Sequence, residues 1–361
     1  MKNPHYNPTK AHHRPGGFQN NHISFRGKRW HEILRWRWEA WRARVPGPVQ
    51  TPIPVVPPDL AFVHGNATAG LHMVPAATWI GHITVLVQIG GINILTDPVF
   101  SERCFPVQWA GPQRHTPPGM TMTQLPHIDV VLLSHNHYDH LDEGSMRALA
   151  RQPGGAPLVI CPLAHRKWLN RWGLHRVVEL DWWDHHVIEA SDRHHRIPVV
   201  LTPAQHWSAR TATDALCSLW GGFAVLSPDC HLFFAGDTGY SPDFVDIRRH
   251  FAREHAPQHG GGFDLALLPI GAYEPRWFMK DQHCNPEEAV QIFQDLGCKR
   301  ALAVHWGTFQ LTDEALDEPP RALARALRAA NRSAAAFRTL AIGETWQLPG
   351  RPASEASEPV S

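Results

Sequence analysis

The chain of 361 residues predicts an α/β fold in which two mixed sheets are faced by helices, an αββα sandwich. Three observations carry this. Strand-like apolar runs recur along most of the chain, helical segments interleave with them from about residue 143 onward, and four of the runs end on a histidine or aspartate. Mixed strands and helices in such numbers bury their apolar faces best in layers, and open α/β sheets place their ligand sites at the carboxyl ends of strands.

Residues 1–60 read as a separate amino-terminal arm. Residues 1–58 hold ten Lys or Arg against Glu32 and Glu39, a net +8, so the remainder carries −7 to reach the formal +1. Within the arm, RWHEILRWRWEAWRAR (Arg29 to Arg44) sets Trp30, Ile33, Leu34, Trp38 and Trp41 at helical spacing, with arginines on much of the rest. Two readings of this helix stand side by side. It can lie in a lipid headgroup layer, indoles buried shallowly and guanidinium groups on phosphates. It can equally pack its tryptophans onto the chain's own surface, because periodicity does not name the surface covered. No basic patch continues beyond the arm, so no nucleic-acid role is expected. Val45 to Leu60 (VPGPVQTPIPVVPPDL) is a proline-rich connector expected to run extended.

Residues 61–348 read as one domain with one large core. Ala77 to Ile89 and Ile92 to Thr96, joined at Gly90 and Gly91, predict a hairpin. Strands are expected at Ile128 to Leu133, Pro157 to Cys161, Arg176 to Leu180, Ile197 to Thr202, Leu219 to Leu226, Leu232 to Ala235, Leu265 to Ile270, Ala301 to Val304 and near Ala341 to Leu348. Helices are expected at about Glu143 to Arg151, Leu163 to Arg171, Asp243 to Glu254, Pro286 to Leu296 and Thr312 to Ala330. Pro286 followed by Glu287 and Glu288 makes a well-formed helix start. Residues 349–361 read as a polar, disordered tail.

The chemistry concentrates where strands end. SHNHYDHLD, Ser134 to Asp142, follows the apolar run Ile128 to Leu133 directly. His135 and His137, two apart in extended chain, can share one ion, and Asp139 and His140 can reach a second about 3.5–4 Å away. With 26 histidines in the chain, a lone HxH would be weak. Three further strand-like runs also lead to ligand-type residues, His206, Asp237 and His305, and chance does not place all four. Histidine and carboxylate without thiolate suit zinc or a similar borderline ion. Six scattered cysteines without a CxxC pair read as reduced thiols of an intracellular protein. With no apolar stretch of about 20 residues and a polar start, neither a membrane span nor a signal peptide is expected.

HNHYDHLD, PAQHW (Pro203 to Trp207), FFAGDTGY (Phe233 to Tyr240), PIGAYEPRWFMKDQHCNPEEA (Pro269 to Ala289) and HWGTF (His305 to Phe309) resemble the metallo-β-lactamase superfamily. More narrowly, they resemble its N-acylphosphatidylethanolamine-hydrolysing phospholipase D branch. The likeness runs from about Pro75 to Leu348 through WIGHITVLVQIGGINILTDPVF, where the family usually has alanine at Ile83, and through ELDWWD, Glu179 to Asp184. The resemblance implies a metallo-β-lactamase-like αββα sandwich with two zinc ions. His135, His137 and His206 would hold one ion, and Asp139, His140 and His305 the other, with Asp237 bridging. A hydroxide shared by the ions would attack phosphorus. Asp97 could accept a hydrogen bond from a ligand histidine's other nitrogen, or be only the turn carboxylate before Pro98. His283, with Asp237 and Asp139, falls among the catalytic candidates. Tyr273, Trp277 and Phe278 could line an acyl groove or be plain core, and Lys280 could meet a phosphate.

The expected function is therefore a dizinc phosphodiesterase of phospholipase D type acting on N-acylated phosphatidylethanolamine. Its partners would be a phospholipid and, peripherally, a membrane, with a homodimer admissible. Its expected place is the cytoplasm, peripheral at the inner membrane face. A lactonase or esterase is the alternative, since the same hydroxide can attack a carbonyl. A non-catalytic metal-binding protein is less expected, because none of the seven ligands is missing. Deleting residues 1–44 is expected to leave the sandwich and its ligands untouched.

Overall fold

In the computed structural model, which describes residues 3–25, 27–189 and 196–351, two seven-stranded sheets stack face to face. The arm contributes a small hairpin, β1 (His13–Arg14) and β2 (Gly17–Phe18), then helix α1 (Trp30–Ala43); α2 (Leu60–Ala67) follows the connector. The first sheet combines β3 (Ala76–Gly81), β4 (Thr84–Ile89), β5 (Ile92–Thr96), β6 (Val130–Leu132), β7 (Leu158–Pro162), β8 (Val177–Leu180) and the late strand β16 (Thr345–Gln347), in the order β16-β3-β4-β5-β6-β7-β8. The second combines β9 (His185–Glu189), β10 (Arg196–Thr202), β11 (Gly222–Ser227), β12 (Cys230–Phe234), β13 (Leu265–Pro269), β14 (Ala301–Val304) and β15 (Phe337–Arg338), in the order β15-β14-β13-β12-β11-β10-β9. The helices are α3 (Glu143–Leu149), α4 (Arg166–Arg171), α5 (Asp243–His250), α6 (Arg276–Met279), α7 (Pro286–Asp295) and α8 (Glu318–Ala329).

Period-two alternation explains the layering. Val85, Val87, Ile94, Val130 and Leu132 face the second sheet and join Leu201, Ala224, Phe234, Leu267 and Leu302 in one core. Their neighbours Leu86, Leu95, Val131 and Leu133 point the other way, against Met146, Leu149, Leu169 and Trp172 of the helical layer. Both faces of the first sheet are therefore dry, which is why its strands read as continuous apolar runs. The β4–β5 hairpin closes at Gly90 and Gly91 with φ of 58° and 76°, the positive values a tight two-residue turn demands. Helix α7 begins as expected and carries a full capping box, Asn285 accepting from the Glu288 N–H and Glu288 accepting from the Asn285 N–H.

The structure departs from the sequence expectation in places. The run Ala77 to Ile89 is two strands, because His82 adopts φ 52° and turns the chain between β3 and β4. The connector ends at Asp59, whose carboxylate caps α2. Strands β9 and β15 and the arm hairpin were not expected; they are short or rich in polar residues. The last ten residues of the expected tail lie outside the described residues.

Helix α1 docks by a face the apolar spacing did not mark. Trp36 donates its indole N–H to Asp313 at 2.9 Å and stacks on Phe278 at 5.0 Å, while Arg35 lies 4.3 Å over Trp277. Trp30, Leu34, Trp38 and Trp41 stay 73%, 59%, 53% and 76% exposed. The arm is also tied down earlier. Lys10, His12 and His13 converge on the Asp181 carboxylate at 2.7, 2.7 and 2.8 Å, and Phe18 enters the main core. His12, His13 and Asp181 have a metal-type composition, but the Lys10 ammonium already neutralises that carboxylate.

Candidate metal centre

Strands of both sheets deliver polar side chains to one edge of the sandwich. From the first sheet come Asp97 after β5 and the loop Ser134–Asp142 after β6; from the second come His206 after β10, Asp237 after β12 and His305 directly after β14. Gly236 permits the approach of Asp237: it has φ +61°, and a Cβ there would lie 2.6 Å from the Ser134 Cβ. Arg210 holds the 134–142 loop in shape. Its Nη1 donates to the carbonyls of Asn136 (3.1 Å) and Leu141 (2.7 Å), and its guanidinium lies over the Tyr138 ring.

Two groups of donor atoms result. His135 Nε2 and His206 Nε2 lie 2.8 and 3.3 Å from His137 Nδ1. Asp139 Oδ2 lies 3.3 Å from His305 Nε2 and 3.5 Å from His140 Nε2, and those two nitrogens are 3.3 Å apart. Asp237 stands between the groups. Its Oδ2 is 3.1 Å from His140 Nε2, 3.9 Å from His206 Nε2 and 4.0 Å from His135 Nε2, and its Oδ1 is 3.2 Å from His305 Nε2.

Tautomers test whether such a group suits a cation. His206 donates Nδ1–H to the Gln282 carbonyl at 2.8 Å, and His135 Nδ1 is 2.9 Å from the Ser134 hydroxyl. Each neutral ring then turns an Nε2 lone pair toward His137 Nδ1, a convergence of donors that suits a shared cation. His140 is set in the same way, its Nδ1 2.6 Å from Asp97 Oδ2, which leaves Nε2 facing Asp139, Asp237 and His305. Asp97 is itself fixed by the Ser134 N–H and hydroxyl at 2.7 and 2.5 Å. The residues fit two cations held by nitrogen and carboxylate oxygen, a donor set typical of zinc.

The electrostatics divide along the same line. Burial lowers the pKa of His135, His206 and, to about 4, His137, so these rings are neutral donors. Burial opposes charge on His305 as well, but the carboxylates of Asp237 and Asp139 outweigh it and raise its pKa to about 9. The same balance raises His140. Burial would raise Asp139 and Asp237, yet the facing His140 helps hold both well below the usual carboxylate range.

The structure brings all seven expected ligands and Asp97 together. His283 joins them, with its Nδ1 3.8 Å from Asp237 Oδ2 and without a hydrogen-bond partner among the described residues. Tyr273 and Phe278 are buried and Trp277 is 43% exposed. Trp277 and Phe278 meet the arm helix, and Lys280 is exposed at the end of α6. Sequence reasoning missed His82, whose Nε2 lies 3.1 Å from Asp139 Oδ2 and whose ring is 4.1 Å from that of His305. A polar residue interrupting the apolar run Ala77 to Ile89 was its only signal.

The chain matches the Beta-lactamase superfamily domain over residues 92–306. It is similar to N-acyl-phosphatidylethanolamine-hydrolyzing phospholipase D 1 of Caenorhabditis elegans, with 36% identity over 282 residues, 76% of each chain. The chain belongs to the metallo-β-lactamase superfamily. Within that superfamily it is also similar to the mitochondrial N-acyl-phosphatidylethanolamine-hydrolyzing phospholipase D of Saccharomyces cerevisiae, 38% identical over 248 residues, 68% of this chain and 50% of the relative. Isothiocyanate hydrolase from Delia radicum gut bacteria shares the metallo-β-lactamase fold, with a TM-score of 0.57 at 18% identity over 76% of this chain and 99% of that one. The protein is a metal-dependent hydrolase of the metallo-β-lactamase superfamily.

Proposed function

We propose that this hydrolase is a dizinc phosphodiesterase of phospholipase D type, converting N-acylphosphatidylethanolamine-like lipids to N-acylethanolamine and phosphatidic acid at a membrane surface. The observation that carries it is Asp237 standing between two groups of converging donors, His135, His137 and His206 on one side and Asp139, His140 and His305 on the other. The names of the worm and yeast relatives supply the substrate class. Two zinc ions held there would provide hydroxide at neutral pH and positive charge for phosphate oxygens.

The chain's own groups do the rest. Asp97 and the Gln282 carbonyl lock His140 and His206 in the tautomers that turn Nε2 to the centre. In this reading His283, whose Nδ1 faces Asp237, meets a phosphoryl oxygen or the departing N-acylethanolamine oxygen. Cleavage on that side leaves the phosphate on the diacylglycerol, as a phospholipase D product requires.

Zinc-loaded protein incubated with N-acylphosphatidylethanolamine, phosphatidylcholine and a panel of lactones should release N-acylethanolamine and phosphatidic acid, identified by mass. Turnover confined to lactones would overturn the reading. The exposed tryptophans of α1 and the arginines beside them are assigned to the membrane. Arginines near an anionic surface contribute about 1 kcal/mol each, screened beyond a Debye length. Replacing Trp30, Trp38 and Trp41 by alanine while keeping the docked Trp36 should weaken vesicle binding and vesicle turnover, with hydrolysis of a short-chain soluble substrate retained. Binding by the unaltered protein should fall with salt; binding equal in both proteins and insensitive to salt would remove the membrane role.

A further inference from the structure

The arm reaches the backbone of a candidate metal ligand through Asn20. Asn20 is 6% exposed and grips the backbone of His206 from both sides: its Oδ1 accepts the His206 N–H at 3.0 Å, and its Nδ2 donates to the His206 carbonyl at 2.9 Å. A third contact fixes the amide's orientation. The Trp220 indole N–H donates to the same Oδ1 at 3.1 Å, and a flipped amide would set an NH₂ against two donors. Asn20 thus pairs with His206 as a neighbouring strand would, although the two lie 186 positions apart.

The contacts around it bind the same stretch of arm to the same side of the site. Phe18 donates its N–H to the Leu216 carbonyl at 2.9 Å, and Asn21 donates to Asp243 at 2.8 Å. Phe25 packs edge-on against Trp207, whose ring is 4.8 Å from that of His137. With its Nδ1 bound to Gln282 and its backbone bound to Asn20, His206 is held at ring and main chain by separate partners.

We propose that Asn20 is a positioning residue for the ion held by His135, His137 and His206, so that the amino-terminal arm is a working part of the metal centre. The inference rests on the reading that these three histidines hold an ion. Of the three, His206 alone comes from the second sheet, and Asn20 holds the stretch of main chain that carries its ring to His137. Partners that orient a ligand carry roughly 10–100-fold in metal affinity.

Zinc alone is the probe. The full chain, stripped of metal, is titrated with zinc against a chromophoric chelator, and Asn20→Ala is compared with the unaltered protein and with His206→Ala. Asn20→Ala should weaken one of two zinc sites by tenfold or more, the site that His206→Ala weakens, and leave the other site at its original affinity. Asn20→Asp keeps the accepted hydrogen bonds but turns a carboxylate oxygen against the His206 carbonyl, so it should weaken the same site at least as much, and it serves as the test if the alanine protein does not fold. A merely structural role would lower the melting temperature of the metal-free protein and weaken both sites alike or neither; either result overturns the inference. Failure of the unaltered protein to take up zinc sensitive to His206→Ala would instead overturn the ligand assignment itself.

Discussion

Asp237→Asn is expected to lower turnover on the order of 10³-fold, the upper range for a single charge-stabilising group, and to weaken both zinc ions together. The reason is geometric. Asp237 reaches His140 and His305 at 3.1 and 3.2 Å and His206 at 3.9 Å. Only a carboxylate between the groups offers charge to both at once. Asparagine keeps the shape and gives up the charge that would offset repulsion between the two cations of the proposed centre. Zinc content by atomic spectroscopy, with circular dichroism to confirm the fold, checks this. Near-normal activity with two zincs retained would remove Asp237 from the bridging position.

His283→Ala is expected to keep two zincs per chain while turnover falls by roughly 10²-fold, the range for a lost acid or charge-stabilising donor. His283 Nδ1 stands 3.8 Å from Asp237 without a hydrogen-bond partner among the described residues, and the ring is 5.1 Å from that of His206. A group in this place faces whatever occupies the centre. His206, Asp237 and His283 also lie close enough to hold an ion together, so the measurement has a clear alternative outcome. Loss of one zinc in the variant would make His283 a ligand.

How much of this was legible before the structure depends on how local each signal is. The loop Ser134–Asp142 and the residues His206, Asp237 and His305 could be read because each follows its own apolar run, and an apolar run that stops at a ligand-type side chain is visible within about ten residues. His82 was not legible. It lies among 26 histidines and inside a run whose alternation continues on both sides, and only its positive φ shows that the chain turns there. Arg210 was silent for a different reason: it serves carbonyls 74 and 69 positions away, and backbone acceptors leave no mark in a sequence.

The arm shows the same division. Its charge and helical spacing predicted a basic helix with an apolar stripe, and α1 forms over Trp30–Ala43. Which face docks was decided by Asp313 and Phe278, residues far along the chain, so that Trp36 turned inward and the expected stripe stayed outside. Deleting residues 1–44 looked harmless to the ligands from sequence alone, yet it would remove Asn20 from the His206 backbone.

The sequence by itself determined the layered α/β class, the strand ends that carry chemistry and the donor types, because periodicity and residue chemistry are properties of short segments. The family resemblance implied the histidine groups and the place of Asp237, and the tertiary structure supplied their distances; it alone decided that His82 stands beside Asp139, that Arg210 holds the loop and that Asn20 of the arm meets the His206 backbone. Those are distances between segments that only the stacking of two sheets brings together, and no local pattern encodes a distance across a core.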